Sequence, residues 1–163
     1  MMRIRPAAEG DLESVREIYN DAILNTVATF DTVAKSPEDM KMWFRDHMPR
    51  YPVFVAELDG RIVGWASLSR WSDRPAYADT AEVSVYVEEG HRGKHIGHDL
   101  LDALIKAGRE RNFHTLVSRI VQGSDVSIRM HEALGFVHVG MLREAGRKFG
   151  RLLDVTIMQI ILR

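Results

Sequence analysis

The stretch 80–104, TAEVSVYVEEGHRGKHIGHDLLDAL, constrains the fold more than any other part of the chain. Small or apolar residues hold positions 81, 83, 85 and 87, and Glu82, Ser84 and Tyr86 alternate with them. That period of two predicts a strand with one apolar face and one partly polar face. Ile96, Leu100, Leu101, Leu104 and Ile105 then recur at helical spacing. The segment between, EEGHRGKHIG, is short, glycine-containing and basic. A helix N-terminus presents unpaired N–H groups and a partial positive charge. Glycine lets the backbone approach a ligand closely, and Arg92 and Lys94 add full charges, so the junction suits a phosphate group. Taken alone, a glycine loop is also what any basic surface turn between a strand and a helix looks like.

The chain has 163 residues, enough for one domain with its own core, and residues 1–163 are read as a single domain. Lys and Arg number 22 against 23 Asp and Glu, a balance that gives no general attraction to nucleic acid or to an anionic membrane. Cysteine is absent, which excludes disulfides, thiol nucleophiles and cysteine-ligated metals. The first residues lack an apolar signal core, and no run approaches the roughly 20 apolar residues of a membrane span. A cytoplasmic protein is the expectation.

Along the chain, residues 2–5 predict a first strand ended by Pro6. Asp11 predicts a helix cap, with Leu12, Val15, Ile18, Tyr19, Ala22 and Ile23 on the buried face. Ser36-Pro37-Glu38-Asp39 starts a second helix carrying Met40, Trp43, Phe44 and His47. Asp59-Gly60 between two apolar runs, 52–58 and 61–68, predicts a hairpin. Residues 69–79 form a polar, aromatic loop before the central strand and helix. A strand at 114–121 follows, then a helix capped by Ser124 and stopped by Gly135. Strands at 136–142 and 154–162 close the chain, joined by the basic stretch 143–151. This order predicts a mixed α/β sheet rather than a doubly wound parallel one.

Several segments together resemble one known family. Arg92-Gly93-Lys94-His95-Ile96-Gly97 is similar to the pyrophosphate loop of the GNAT N-acetyltransferase superfamily, with His95 standing where that loop has its first glycine. Ile18-Tyr19-Asn20, Ala28-Thr29-Phe30-Asp31-Thr32, Arg74-Pro75-Ala76-Tyr77, the strand 80–87, the run 127–136 and Gly146-Arg147-Lys148-Phe149-Gly150 look like the phosphinothricin N-acetyltransferase family and its methionine-derivative acetylating relatives. The resemblance implies a mostly antiparallel central sheet of about seven strands, flanked by about four helices, with a parallel pair, 81–87 and 115–121, that splays apart. It implies acetyl-CoA as cosubstrate, a primary amine as acceptor and a homodimer. Under it, Val85, Tyr86 and Val87 line the pantetheine arm as an added strand would. Arg92, Gly93, Lys94, His95, Ile96, Gly97 and His98 hold the pyrophosphate. Ser124 stands where the family has an asparagine reaching the cofactor.

Individual residues then acquire two readings each. Glu82 is either a carboxylate paired with an arginine on the sheet or the general base that takes the proton of the attacking amine. His131 is either a core histidine or the proton donor to the leaving thiolate. Arg74 is a solvated loop charge or a two-point clamp for a substrate carboxylate, and Lys148 is a second candidate for that clamp. Phe30 and Tyr77, with Pro75 and Ala76, wall the substrate pocket or serve as ordinary packing. His91, His95 and His98 are close enough in sequence to suggest a metal, but their positions straddle a loop and no metal is expected.

The preferred function is therefore N-acetylation of a free amino acid or analogue, of the phosphinothricin or methionine sulfoximine type. Acetylation of a protein N-terminus or a polyamine is the nearer alternative. A non-catalytic module that senses acetyl-CoA is the more distant one. Retained Glu82, Arg74 and His131 argue for the enzyme, since a sensor needs none of them.

Overall fold

The computed structural model describes residues 1–163. The elements are β1 (Met2–Pro6), α1 (Leu12–Asn25), α2 (Pro37–His47), β2 (Val53–Leu58), β3 (Arg61–Arg70), β4 (Thr80–Val87), α3 (Ile96–Glu110), β5 (Thr115–Val121), α4 (Asp125–Ala133), β6 (Val137–Lys148) and β7 (Arg151–Ile161). Seven strands form one sheet in the order β1-β2-β3-β4-β5-β7-β6. Every neighbouring pair is antiparallel except β4 with β5. The order and type of the elements follow the sequence reading. No helix is long and apolar enough to cross a membrane.

The alternation in β4 sorts the two faces. Ala81 and Val83 are buried and pack with Leu100, Leu101 and Leu104 of α3, and Val85 and Val87 lean on the same cluster. Tyr86 turns to the opposite face, where Trp65 of β3 packs with Leu12, Val15 and Ile18 of α1 and Met40 of α2. Burying such aliphatic side chains contributes about 1.5–3 kcal/mol each, which is why helices cover both faces.

The start and stop signals operate with two exceptions. Ser36 Oγ accepts from the Asp39 N–H at 3.0 Å and Asp39 Oδ2 accepts from the Ser36 N–H at 2.9 Å, a reciprocal capping box. Gly135 ends α4 at φ +100°, and Asp59 and Gly60 both adopt positive φ in the β2–β3 turn. Asp11 precedes α1 as expected but does not cap it with its side chain. Its carboxylate is drawn back to the Ala8 N–H at 2.7 Å and to Arg5 at 2.8 and 2.9 Å. Ser124 likewise precedes α4 without a side-chain cap.

The basic stretch 143–151 departs from the expectation of a connecting loop. It is almost entirely strand: β6 runs on to Lys148 and β7 begins at Arg151, with the turn confined to Phe149 and Gly150. A bulge absorbs the mismatch. The register shifts between Leu142 and Gly146, Glu144 takes φ +49°, and its N–H donates to Asp154 Oδ1 at 2.7 Å. A charged run need not be a loop when one face of the strand is solvated. The final strand β7 lies between β5 and β6, so β1 and β6 are the two edges of the sheet.

Candidate active site

The site begins where the parallel pair stops pairing. β4 and β5 are in register only from Thr80 opposite Thr115 to Glu82 opposite Val117. Beyond Glu82 the strands diverge, and β4 continues to Val87 with β3 as its only partner. The Glu88 N–H donates to the Val63 carbonyl at 2.8 Å, and the Tyr86 carbonyl faces Gly64. By strand alternation, Val85 and Val87 therefore turn their N–H and C=O groups away from β3, into the opening. Unpaired strand groups beside a cleft are what an extended, amide-bearing ligand needs.

The loop after β4 ends at the N-terminus of α3. His95 caps that helix in the left-handed conformation, φ +66° and ψ 8°, and Gly93 has φ +77°. Histidine thus adopts the backbone that glycine would take with less strain. The first turn keeps its N–H groups directed outward, since the helical bonds start with Asp99 N–H to the His95 carbonyl at 3.1 Å. Gly97 is there for closeness: a Cβ would meet Met130 Sδ at 3.2 Å, where α4 crosses α3. Arg92 and Lys94 are exposed and form no ion pair. The open strand edge and this helix terminus fit the arm and the diphosphate of a cofactor such as acetyl-CoA. Ser124 is half-buried at the start of α4.

The three histidines do not converge. His91 Nδ1 lies 2.9 Å from Glu88 Oε2. His95 and His98 are neighbours, with ring centroids 4.5 Å apart, and His98 Nδ1 lies 3.2 Å from Asp99 Oδ1.

Glu82 sits at the fork, on the polar face of β4. Both readings of it meet here, because Arg119 of β5 grips the carboxylate at two points: Nε to Oε2 at 2.5 Å and Nη2 to Oε1 at 2.6 Å. The pairing raises the Arg119 pKa. Arg119 also lies over the Trp71 ring, 5.4 Å from its centroid. Neither Arg119 nor Trp71 stood out in the sequence. An arginine among strand residues gives no sign of its partner until the parallel register sets Val117 beside Glu82.

His131 is buried on α4, edge-on to Phe136 at 4.8 Å. Its Nδ1 contacts the Ser127 carbonyl at 2.7 Å, and a carbonyl only accepts, so Nδ1 carries the proton. Burial lowers the pKa and holds the ring neutral. Nε2 is then a bare lone pair, buried and without a partner. That state accepts a hydrogen bond; it is not the state of a proton donor.

The substrate candidates divide. Arg74, Pro75, Ala76 and Tyr77 form an exposed short helical turn leading into β4, and the Arg74 guanidinium has no partner in the fold. Lys148 is buried instead, its Nζ donating to the Thr29 carbonyl at 2.7 Å, and desolvation lowers its pKa. It ties the 29–31 segment to the end of β6, at the border of a second cavity of about 380 Å³ that it lines with Ile23, Thr32 and Arg147. Phe30 packs over Gly146.

The cavity on the polar face of β4 is lined by residues that the sequence reading did not assign to the site. A cavity of about 510 Å³ opens between α1, α2 and the polar face of β3–β4, bounded by Tyr19, Asp31, Trp43, Trp65, Ser67 and Ser84, among others. Ser69 also lines it and pairs in register with Glu82. The signal was the alternation of Trp65, Ser67 and Ser69, which puts serines on the face opposite the α3 core.

Comparison with known proteins identifies the family. The family model described as an acetyltransferase (GNAT) domain matches residues 4–157. The L-methionine sulfoximine/L-methionine sulfone acetyltransferase of Pseudomonas aeruginosa is 38% identical over 159 residues, spanning 96% of this chain and 92% of that one. The solved ribosomal-protein-alanine N-acetyltransferase of Brucella melitensis superposes with a TM-score of 0.96 at 40% identity, over 98% of this chain and 99% of that one. The phosphinothricin acetyltransferase of Sinorhizobium meliloti, solved in complex with AcCoA, superposes with a TM-score of 0.96 at 35% identity, over 99% of this chain and 88% of that one.

Proposed function

The chain belongs to the GNAT acetyltransferase family, and from that premise we propose that it transfers the acetyl group of acetyl-CoA to the amino group of a free amino acid or a close analogue. Acetyl-CoA supplies an acetyl group activated as a thioester, so the acceptor nitrogen must arrive as a neutral amine. A free α-amino group has a pKa of about 8 and carries its proton at neutral pH. Glu82 takes that proton, directly or through one water, from its position where β4 and β5 part. The observation that carries this reading is a carboxylate at the last paired position of β4 and β5, where the strand edge opens, with its register partner Ser69 and its β4 neighbour Ser84 lining a cavity.

Arg119 holds the plane of the Glu82 carboxylate and leaves its outer lone pairs free to accept. The backbone of Val85, Tyr86 and Val87 takes the pantetheine arm. Residues 92–98 take the diphosphate, with Ser124 beside the arm. Arg74, the unpartnered cation at the entrance to β4, takes the acceptor's carboxylate. His131 offers Nε2 as a hydrogen-bond acceptor.

Initial rates with acetyl-CoA and a panel of amino acids, including methionine sulfone and phosphinothricin, test the reading. Arg74→Ala raises KM for these acceptors and spares simple amines that lack a carboxylate. Equal penalties for both would make Arg74 a loop residue. The Brucella melitensis relative favours one second reading, acetylation of a protein N-terminal alanine. Turnover of alanine-initiated peptides in preference to every free amino acid would establish it.

The whole chain is proposed to work as one catalytic domain, in the cytoplasm, as a homodimer. The support for the dimer is the edge strand β6, whose Val137, Val139, Met141 and Leu142 are exposed, with Phe149 and Leu152 at the adjoining turn. Light scattering at tens of micromolar reports twice the chain mass if that edge is covered by a second copy. A monomer removes the proposal.

A further inference from the structure

Beyond the reaction itself, we infer that His95, His98 and Asp99 form a site for one divalent transition metal of the zinc class at the start of α3, and that an ion held there tightens the binding of acetyl-CoA.

The donors are already together. One ligand atom from each of the three residues lies within 4.8 Å of the other two. His98 Nδ1 and Asp99 Oδ1 stand 3.2 Å apart. Zinc holds nitrogen and oxygen ligands at about 2.0–2.1 Å, so neighbouring ligands of a tetrahedral site are about 3.3 Å apart. One edge of the tetrahedron is therefore present before any ion arrives. The His95 ring lies against the His98 ring, with centroids 4.5 Å apart. His95 is exposed, so its ring is free to swing the remaining distance. His91 takes no part, since its Nδ1 faces Glu88.

The helix explains the convergence. His95 is the cap of α3, and His98 and Asp99 are three and four places on, so all three share one flank. The opposite flank turns Leu100, Leu101 and Leu104 into the core, which leaves the donors facing outward. Two imidazoles and one carboxylate suit zinc, nickel or copper better than magnesium or calcium, which prefer oxygen ligands throughout. Three protein donors leave a fourth position for water. Further along the same flank, Lys106 is paired with Asp102 at 2.8 Å and does not compete for Asp99.

The link to acetyl-CoA rests on the reading above that residues 92–98 take the diphosphate. Arg92 and Lys94 stand in the same loop as His95 and repel a cation while no anion is bound. A diphosphate neutralises them and brings negative charge to a segment that includes two of the three donors. Each ligand therefore favours the other, and by linkage each changes the other's affinity by the same factor. Proton removal by Glu82 needs no metal, so the ion acts on binding and not on the chemical step.

Calorimetric titration of the chelator-treated chain with Zn²⁺ is expected to fill one site, and Mg²⁺ at the same concentration does not compete. The chain has 7 histidines, so variants must locate the ion. Asp99→Asn and His98→Ala each weaken zinc binding about tenfold or more, and His91→Ala leaves it unchanged. With zinc present, and zinc binding by acetyl-CoA alone subtracted, the Kd of acetyl-CoA falls about fivefold in the native chain and does not move in Asp99→Asn. Absence of a saturable zinc site in the native chain overturns the inference. Full zinc affinity in Asp99→Asn does the same, because it puts the ion at other histidines. Zinc that binds here yet leaves acetyl-CoA affinity unchanged, or weakens it, also overturns it. If His98→Ala fails to fold, Asp99→Asn still decides. Acetylation of amino acids by a chain without a zinc site sinks this inference alone. A chain that never binds acetyl-CoA sinks the proposed function with it.

Discussion

Glu82 and Arg119 are joined at two points across the fork of the sheet, with both carboxylate oxygens bonded at 2.5 and 2.6 Å. The pair lies at the last paired position of β4 and β5, where the cleft begins, with Arg119 two residues past Val117 on β5. A base held this way cannot rotate, and its accessible lone pairs point away from the arginine.

Kinetics separate the base from its holder. Glu82→Gln keeps the shape and removes the base, so kcat falls by about 10²–10⁴ while KM for acetyl-CoA hardly moves. Arg119→Ala lowers kcat less, because the carboxylate remains but is no longer fixed. If Arg119 acts only through Glu82, the double variant is no slower than Glu82→Gln alone. Near-native turnover of Glu82→Gln from pH 6 to 9 would instead make the ion pair structural.

Much of this was legible in the chain. The alternation of β4, the Asp59-Gly60 turn, the Ser36 cap and the Gly135 stop each depend on local chemistry, and local chemistry can be read from neighbours in sequence. What could not be read depends on register between distant strands. Arg119 meets Glu82 only through the parallel pairing, and Ser67 meets Ser84 only through the antiparallel one. Lys148 looked available for a substrate because nothing local shows that Thr29, far away in the chain, offers it a carbonyl. The basic run 143–151 looked like a loop because its strand character comes from pairing with β7 rather than from propensity.

Stability responds to pH through two buried histidines. Burial lowers the pKa of both His47 and His131 in the folded chain. Below the unfolded value of about 6.5, the unfolded chain binds protons that the folded one refuses. Stability is therefore full above that value and declines as pH falls from it toward the folded pKa values. Urea unfolding at pH 7.5, 6.5 and 5.5 should show a falling midpoint, with a shallower fall in His131→Gln. A midpoint that rises on acidification contradicts the assignment of neutral, buried rings.

Gly146 is required by Phe30. A Cβ at 146 would overlap the rim of the Phe30 ring, with Cδ2 at 2.8 Å. Gly146→Ala should cost about 1–3 kcal/mol as overpacking. Removing the ring with Phe30→Ala in the same chain should recover most of that loss. Non-additivity of this kind in chemical denaturation identifies a direct clash, whereas additive losses would point to backbone strain in β6.

His95 sets the last test, because its backbone and its side chain make opposite demands. At φ +66° a non-glycine residue is strained by about 1–2 kcal/mol, and glycine removes that strain at an entropic cost of about 0.5–1 kcal/mol. His95→Gly should therefore leave stability unchanged or raise it slightly. The α3 N–H groups and Arg92 and Lys94 remain in place, so acetyl-CoA affinity measured by calorimetry should hold or tighten. His95→Val makes the contrast, since a β-branched residue tolerates positive φ worst. It should destabilise the helix start and weaken acetyl-CoA binding together. If His95→Gly instead lost affinity at unchanged stability, the imidazole itself would be a ligand of the diphosphate, and the departure from glycine at this position would be a gain of contact rather than a tolerated strain.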